Sequence, residues 1–135
     1  MREIDKIIVH CTATKEGRAV SIEEITRWHK EKGYNTIGYH YVVGLDGTVY
    51  PGRGEHRMGA HCLGHNASSI GVCYVGGHNQ SGKPKDTRTP AQKKALLSLL
   101  RDLKKKYPKA SIHGHNEYSN KACPCFDVYK EYKDL

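Results

Sequence analysis

Two short apolar segments constrain the fold of this chain more than any other feature. Residues 6–10 (KIIVH) and 69–75 (SIGVCYV) each contain a brief, uninterrupted apolar run with β-branched residues. Runs of this length and composition are typical of buried strands. His10 would then lie at the end of its strand, and α/β proteins commonly build their sites at strand ends.

Residues 21–32 carry the start signals of an amphipathic helix. Ser21 and Glu24 have the spacing of a capping box, in which each side chain bonds a free backbone N–H group of the first turn. Ile25 and Trp28 would face the core.

The strongest helical pattern begins at Thr89. Thr89 and Gln92 form a second capping-box pattern, Pro90 occupies the favoured first position, and Pro108 ends the helix. The apolar residues at helical spacing are Leu96, Leu99, Leu100, Leu103 and Tyr107.

Residues 39–50 predict a β-hairpin, because two β-rich runs flank the turn dipeptide Asp46-Gly47. Residues 51–68 follow as a long loop rich in Gly, His and Asn, and long loops inside compact domains are often functional.

Residues 110–113 predict a short strand, and residues 126–133 predict a last helical turn or two. The resulting order, β-α-ββ-β-α-β-α, predicts an α/β fold with a central mixed β-sheet flanked by helices. With 135 residues, the chain is expected to form a single domain over residues 1–135.

The cysteines and histidines offer the chemistry of a metal site. His10, His115 and Cys123 would be a sensible zinc set, with a fourth position open for water. The chain has nine histidines and five cysteines, so spacing alone does not select this triple. No C-x-x-C pair is present, which argues against a zinc ribbon. Cys11 and Cys73 are interpreted as small buried apolar residues.

The chain resembles the zinc-dependent N-acetylmuramoyl-L-alanine amidases of the phage T7 lysozyme and peptidoglycan-recognition-protein type over nearly its whole length. Each matching segment is short, but together, in this order and spacing, they are highly specific. The segments are Val9–Thr14, Trp28–Lys30, Gly38–His40, Asp46–Val49, Gly52–Arg53, Gly59–His61, Ser69–Cys73, Val75–Gly77, Thr89–Gln92, Gly114–His115 and Lys121–Pro124.

The resemblance implies one Zn²⁺ per chain, held by His10, His115 and Cys123. It also implies hydrolysis of the amide bond between N-acetylmuramic acid and L-alanine in peptidoglycan, by water that zinc activates. The T7 lysozyme/PGRP-like fold and a monomeric state are further expectations that the resemblance supplies.

Three more residues take roles from the resemblance. Tyr39 and Lys121 are expected to assist catalysis, and His61 is expected to contact substrate at the rim of the cleft. Lys121 stands two residues before Cys123, and in an extended segment the two side chains would share a face. The alternatives are a core tyrosine, an exposed lysine and an exposed loop histidine. The other six histidines are interpreted as structural or exposed.

Two positions depart from the family pattern. Cys125 replaces the small non-thiol residue that relatives commonly carry, and it could compete for the metal or be oxidised with Cys123. His65 stands where tyrosine is common. Neither change removes an expected catalytic group.

Two other functions stay open at this point. A non-catalytic peptidoglycan-binding module would keep the fold, although such relatives typically lack the cysteine ligand that Cys123 supplies. An amidase could also carry a regulatory protein-binding role, as the T7 relative does with an RNA polymerase. The stem-peptide preference and the biological setting cannot be determined from the sequence.

The formal net charge of +8 is concentrated in residues 83–109, which contain ten Lys or Arg but only two Asp. This segment is either a solvated basic helix face or a surface that attracts an anionic partner. No nucleic-acid motif accompanies it, so no nucleic-acid partner is expected. No membrane span or signal peptide is seen, which predicts synthesis in the cytoplasm. The family resemblance implies that the protein then acts on peptidoglycan in the periplasm or cell wall.

Overall fold

The computed structural model describes residues 2–135 and arranges them around a mixed five-stranded sheet of order β4-β3-β5-β1-β7. Strands β2 and β6 form a separate small pair. The strands are β1 (Lys6–Cys11), β2 (Thr14–Lys15), β3 (Tyr41–Val43), β4 (Val49–Pro51), β5 (Ser69–Tyr74), β6 (Gly77–His78) and β7 (Ser111–Gly114). The helices are α1 (Ile22–Glu31), α2 (Pro90–Lys106) and α3 (Val128–Tyr132), with 3₁₀ turns at Asn66–Ser68 and His115–Glu117.

Strand β1 lies between two parallel neighbours, β5 and the edge strand β7. Its residues pair with β5 on one side, where His10 is opposite Cys73, and with β7 on the other. Strand β3 runs parallel to β5, and β4 returns antiparallel to β3. The predicted mixed sheet is confirmed, and the ends of β1 and β7 lie side by side.

The two faces of the sheet bury different clusters. One face packs Ile7 and Val9 of β1 against Leu96 and Leu100 of α2. The other face packs Ile25 of α1 against residues that include Val42 and Cys73. Because neighbouring residues of a strand point to opposite faces, His10 lies on the α1 side of the sheet.

The two predicted helix starts differ in detail. At α2 the capping box is complete: the Thr89 hydroxyl accepts from the Gln92 N–H group, and the Gln92 side chain accepts from the Thr89 N–H group. At α1 the Ser21 hydroxyl accepts from the Glu24 N–H group, but the Glu24 carboxylate pairs with Arg18 instead. The second half of the predicted α1 box is therefore wrong, because a nearby guanidinium takes the carboxylate.

Other elements follow the prediction within a few residues. The hairpin, the short strand β7 and the C-terminal helix α3 are all present. The pairing of β2 with β6 was not predicted, since strands of two residues carry no periodic pattern. Trp28 is half-buried against the smaller cluster. Within residues 2–135, none of the helices combines the length and apolarity needed to cross a lipid bilayer.

Candidate functional site

Three side chains converge where β1 and β7 end. His10 is the second-last residue of β1, and His115 directly follows β7. Cys123 lies in a turn after the 3₁₀ turn at His115–Glu117. Their candidate ligand atoms all lie within 4.8 Å of one another. His10 is buried, whereas His115 and Cys123 are partly exposed. The parallel pairing of β1 with β7 brings together residues more than a hundred positions apart in the sequence.

The charge state of this cluster suits a zinc ion. Hydrogen bonds from Cys11 and from His10 and His115 lower the pKa of the Cys123 thiol far below its ordinary value, despite its burial. Burial lowers the pKa of His10. At neutral pH the cluster thus offers a thiolate and a neutral imidazole from His10. Thiolate and imidazole donors are the usual protein ligands of zinc, and three of them leave a position open.

His61 lies deeper in the site than the sequence predicts. Its Nδ1 atom is 2.8 Å from Nε2 of His10, and its Nε2 atom is 3.2 Å from the Ser69 hydroxyl oxygen. Burial lowers the pKa of His61, so its ring is neutral at physiological pH. The ring therefore helps to orient His10. No local sequence pattern predicts this contact, because 51 residues separate the two histidines.

Tyr39 stands beside His10 within the same cleft. The ring centroids of the two residues are 5.1 Å apart. Burial raises the pKa of the Tyr39 hydroxyl, so it stays protonated at neutral pH and can donate a hydrogen bond. The ring of Tyr39 therefore lies next to a candidate metal ligand and lines the same cleft.

Lys121 is exposed and lines the same cleft as Cys123. The extended segment assumed for residues 121–123 is wrong, because the Cys125 N–H group donates to the Ala122 carbonyl across a turn, at 2.7 Å. A bend at Lys121 is also supported by its N–H group, which donates to the Ser119 hydroxyl at 3.2 Å. The turn, rather than strand alternation, brings the ammonium and the thiolate to one cavity.

The cleft has a volume of about 230 Å³. Its walls include seven residues that the sequence did not assign to the site: Cys11, Thr12, Ala13, His29, Lys32, Tyr34 and Ala60. His29 is buried behind Tyr39, with ring centroids 5.1 Å apart, and its Nδ1 atom accepts from the Gly38 N–H group. Its spacing of four from Ile25 on α1 is the sequence signal that could have identified it as an inward-facing residue.

The remaining cysteines take distinct positions around the site. Cys11 and Cys73 are buried, as predicted, and the Cys11 N–H group also donates to Sγ of Cys123 at 3.2 Å. Cys125 is outside the metal-ligand cluster among the described residues, and its Sγ atom is 4.0 Å from Sγ of Cys11. Its nearest thiol contact is therefore with Cys11, whereas the sequence pointed to Cys123.

Comparison with known proteins places this geometry in context. The family model described as N-acetylmuramoyl-L-alanine amidase matches residues 1–126. The endolysin of Escherichia phage T7 is 48% identical over 124 residues, which are 92% of this chain and 82% of that protein.

Solved structures extend the similarity to the fold. The N-acetylmuramoyl-L-alanine amidase LysC from Clostridium intestinale superposes with a TM-score of 0.82 at 30% identity, covering 96% of this chain and 82% of that one. Bumblebee PGRP-SA superposes with a TM-score of 0.79 at 27% identity, covering 100% of this chain and 83% of that one. These similarities confirm the fold type that the sequence resemblance implies.

Proposed function

The chain belongs to the N-acetylmuramoyl-L-alanine amidase family, and we propose that it is a zinc-dependent hydrolase of peptidoglycan. The bond it cleaves is the amide between N-acetylmuramic acid and the L-alanine that begins the stem peptide. The observation that supports this proposal most strongly is the convergence of His10, His115 and Cys123 beside an open cleft.

His10, His115 and Cys123 would hold the metal. When bound there, zinc would act as a Lewis acid and would lower the pKa of a coordinated water to about 7. The hydrogen bond from the Cys11 N–H group to the Cys123 sulfur keeps the thiolate stable without adding a competing ligand. His61 fixes the orientation of the His10 ring through the contact between their nitrogen atoms.

Tyr39 and Lys121 would assist the reaction at the amide carbonyl. Negative charge develops on the carbonyl oxygen when the amide carbon becomes tetrahedral, and positioned donors stabilise it. The protonated Tyr39 hydroxyl is one such donor. The Lys121 ammonium, which is exposed at the mouth of the cleft, supplies positive charge.

The substrate would be the muramyl peptide of the bacterial wall, and His61 and its neighbours would contact it at the cleft. We propose a monomer that is synthesised in the cytoplasm and acts on peptidoglycan outside it. Family membership and the position of the cleft on the surface support this proposal.

Hydrolysis of purified peptidoglycan, followed by mass spectrometry, tests the proposal directly. We expect free stem peptides with an N-terminal alanine, which disappear with a chelator and return with zinc. Cys123→Ser should abolish this release, whereas Cys125→Ser, a matched change in the same turn, should retain it. Wall that is bound but not cut would instead indicate a binding module, and zinc-dependent release by Cys123→Ser at the wild-type rate would contradict the ligand assignment.

A further inference from the structure

The turn that carries Cys123 has little regular structure of its own. Residues 122–126 lie between the 3₁₀ turn at His115–Glu117 and helix α3, and their internal backbone hydrogen bond is the 2.7 Å contact from Cys125 to Ala122. A metal ligand on such a segment needs support from elsewhere, since outer contacts orient ligands and tune metal affinity.

Tyr74 provides one such support. It is the last residue of β5, its side chain has no solvent exposure, and its hydroxyl donates a hydrogen bond of 2.7 Å to the carbonyl oxygen of Pro124. Burial raises the pKa of this hydroxyl, so it remains a donor at neutral pH. Pro124, the residue directly after Cys123, is itself buried. The ring of Tyr74 thus reaches from the sheet to the backbone of the ligand turn.

A second support begins at the residue paired with Tyr74. Cys11 and Tyr74 are opposite one another in the β1–β5 register, and the Cys11 N–H group donates to Sγ of Cys123. The two bonds therefore hold adjacent residues of the turn to one rung of the sheet. His10, which precedes Cys11, lies on the neighbouring rung opposite Cys73, so this register sets the position of Cys123 relative to His10.

The far side of the turn is also packed. The Arg88 guanidinium lies 3.5 Å from the centroid of the Phe126 ring, and it forms ion pairs with Asp86 and Glu131. Phe126 is thereby held between the sheet and a fixed cation. The exposed Asn116 amide also donates to the Ala122 and Phe126 carbonyls, each at 3.5 Å. The Tyr74 hydroxyl is closer, at 2.7 Å, and it reaches the backbone next to Cys123 from a fully buried side chain.

We propose that Tyr74 is a positioning residue for Cys123, and that its hydroxyl tunes metal affinity by fixing the turn at Pro124. This inference rests on the proposed function, because it assumes that Cys123 is a zinc ligand. Without the hydroxyl, the Pro124 carbonyl would lose its donor, and the turn would shift to find another partner. The thiolate would then meet the two imidazoles less often in the binding geometry.

Tyr74→Phe tests the inference, because it removes a single hydroxyl from a buried ring. The matched control is Tyr107→Phe, which removes a hydroxyl that donates to Glu55 at 2.6 Å beside a different cavity. The dissociation constant for zinc is measured by competition with a chromophoric chelator. We expect Tyr74→Phe to weaken zinc binding at least about tenfold, as is typical for the loss of an outer contact, and Tyr107→Phe to stay within about twofold of wild type.

Cobalt substitution gives a second readout that is independent of activity. The absorption band from thiolate to Co²⁺ reports the geometry at Cys123, and we expect it to weaken or shift in Tyr74→Phe but not in Tyr107→Phe. Unchanged zinc affinity and spectrum in Tyr74→Phe would overturn the inference. Equal losses in both variants would also overturn it, since they would indicate general destabilisation.

Hydrogen–deuterium exchange of the wild-type chain tests the same link without any substitution. Removal of zinc should increase exchange at residues 122–126 and also at the end of β5, where Tyr74 lies. Increased exchange confined to residues 122–126 would contradict the proposed link. If the wild type and Cys123→Ser bind zinc equally well, the proposed metal site fails, which is a separate outcome from failure of the role of Tyr74.

Discussion

The two ends of the five-stranded sheet both gather polar and aromatic side chains, but they use them differently. Where β1 and β7 end, His10, His115 and Cys123 direct their ligand atoms towards a common point beside a cavity of about 230 Å³. Where the same strands begin, Arg2 and Tyr107 line a larger cavity of about 380 Å³.

Most charged groups of the larger cavity are paired within it, although the Nε atom of Arg2 is buried without a hydrogen-bond partner. The Glu55 carboxylate accepts hydrogen bonds from the hydroxyls of Tyr41 and Tyr107 and pairs with Lys106 at 2.9 Å. Arg2 donates to several backbone carbonyls, including that of Glu55 at 2.7 Å. Of these two cavities, the smaller one therefore holds the cluster of converging ligand atoms, and cavity size does not indicate the candidate site.

The largest expected effect comes from removing a metal ligand at one end and a structural carboxylate at the other. His115→Ala should lower peptidoglycan hydrolysis about 10³-fold or more, because the metal supplies several kcal/mol of transition-state stabilisation. Glu55→Gln should keep near-wild-type hydrolysis but lower the free energy of unfolding by about 1–3 kcal/mol, as its hydrogen-bond network weakens. Rate assays and denaturant unfolding of both variants measure this contrast. A comparable loss of rate in Glu55→Gln would contradict the proposed difference in role between the two ends of the sheet.

A second comparison separates metal binding from catalysis inside the cleft. Lys121→Met should lower hydrolysis about 10²-fold, as expected for the loss of one oxyanion donor, while zinc content stays at one per chain. Lys130→Met, at an exposed lysine of α3, is the matched control and should leave the rate unchanged. Zinc content is read by elemental analysis. Loss of zinc together with activity in Lys121→Met would assign Lys121 to metal retention rather than to the reaction.

Acid stability should distinguish the histidines of the cleft from those on the surface. Burial lowers the pKa of His29 to about 4 from 6.5, so its neutral form is favoured in the folded chain. The unfolded chain then binds more protons as pH falls from about 6.5, and stability is lost down to about pH 4. His29→Asn retains an acceptor for the Gly38 N–H group but cannot titrate.

We therefore expect His29→Asn to reduce the loss of unfolding free energy between pH 7 and 4.5 by roughly 1–2 kcal/mol, relative to wild type. The exposed His56 offers the control, since His56→Asn should leave the pH profile as it is. Denaturant unfolding is measured with chelator present, so that metal release does not contribute. Identical profiles for wild type and His29→Asn would contradict the role of burial at His29.

The metal site itself should weaken in acid. Protons compete with zinc for His10, His115 and Cys123, so zinc affinity should fall as pH drops below about 6. Zinc competition titrations between pH 7.5 and 4.5 measure the effect. Full zinc occupancy down to pH 4.5 would count against this set of ligands.

The smallest effect is expected on the basic side of the molecule, away from both cavities at the sheet ends. Lys93, Lys94, Arg101 and Lys105 are exposed along α2. Replacing these four residues by Gln should lower association with anionic wall a few-fold at low ionic strength, and the difference should vanish at high salt. Replacing Lys30, Lys130 and Lys133, on other helices or their ends, provides the control. Salt-independent binding by both sets would show that the basic surface is only a solvated face.

Local features of the fold could be predicted because their causes are local. The Thr89 capping box, the hairpin around Asp46-Gly47 and the buried strand β1 each depend on residues close together in the sequence. The half-formed box at Ser21 shows the limit of this reasoning. Arg18, only six residues from Glu24, competes for the carboxylate, and spacing rules do not include that competition.

In the candidate site too, the sequence could indicate some residues, whereas other contacts are seen only in the structure. His10, His115 and Cys123 could be named from the sequence only through their resemblance to a family, since many triples of His and Cys exist in the chain. The structure brings the three together, and their roles, like those of Tyr39, Lys121 and His61, stay predictions. His29 had a helical spacing that could have revealed it, whereas the contact of His61 with His10 had no sequence signal.

The sequence by itself determined the strands of the five-stranded sheet, the helices and their order, because backbone propensity, capping and apolar spacing act over a few residues. Only the tertiary structure decided which side chains meet at the end of the sheet. The register that sets Cys11 opposite Tyr74 also holds the turn of Cys123, through bonds that span 112 and 50 residues. Such contacts depend on strand pairing across the whole chain, and packing of the complete fold, rather than any local preference, selects that pairing.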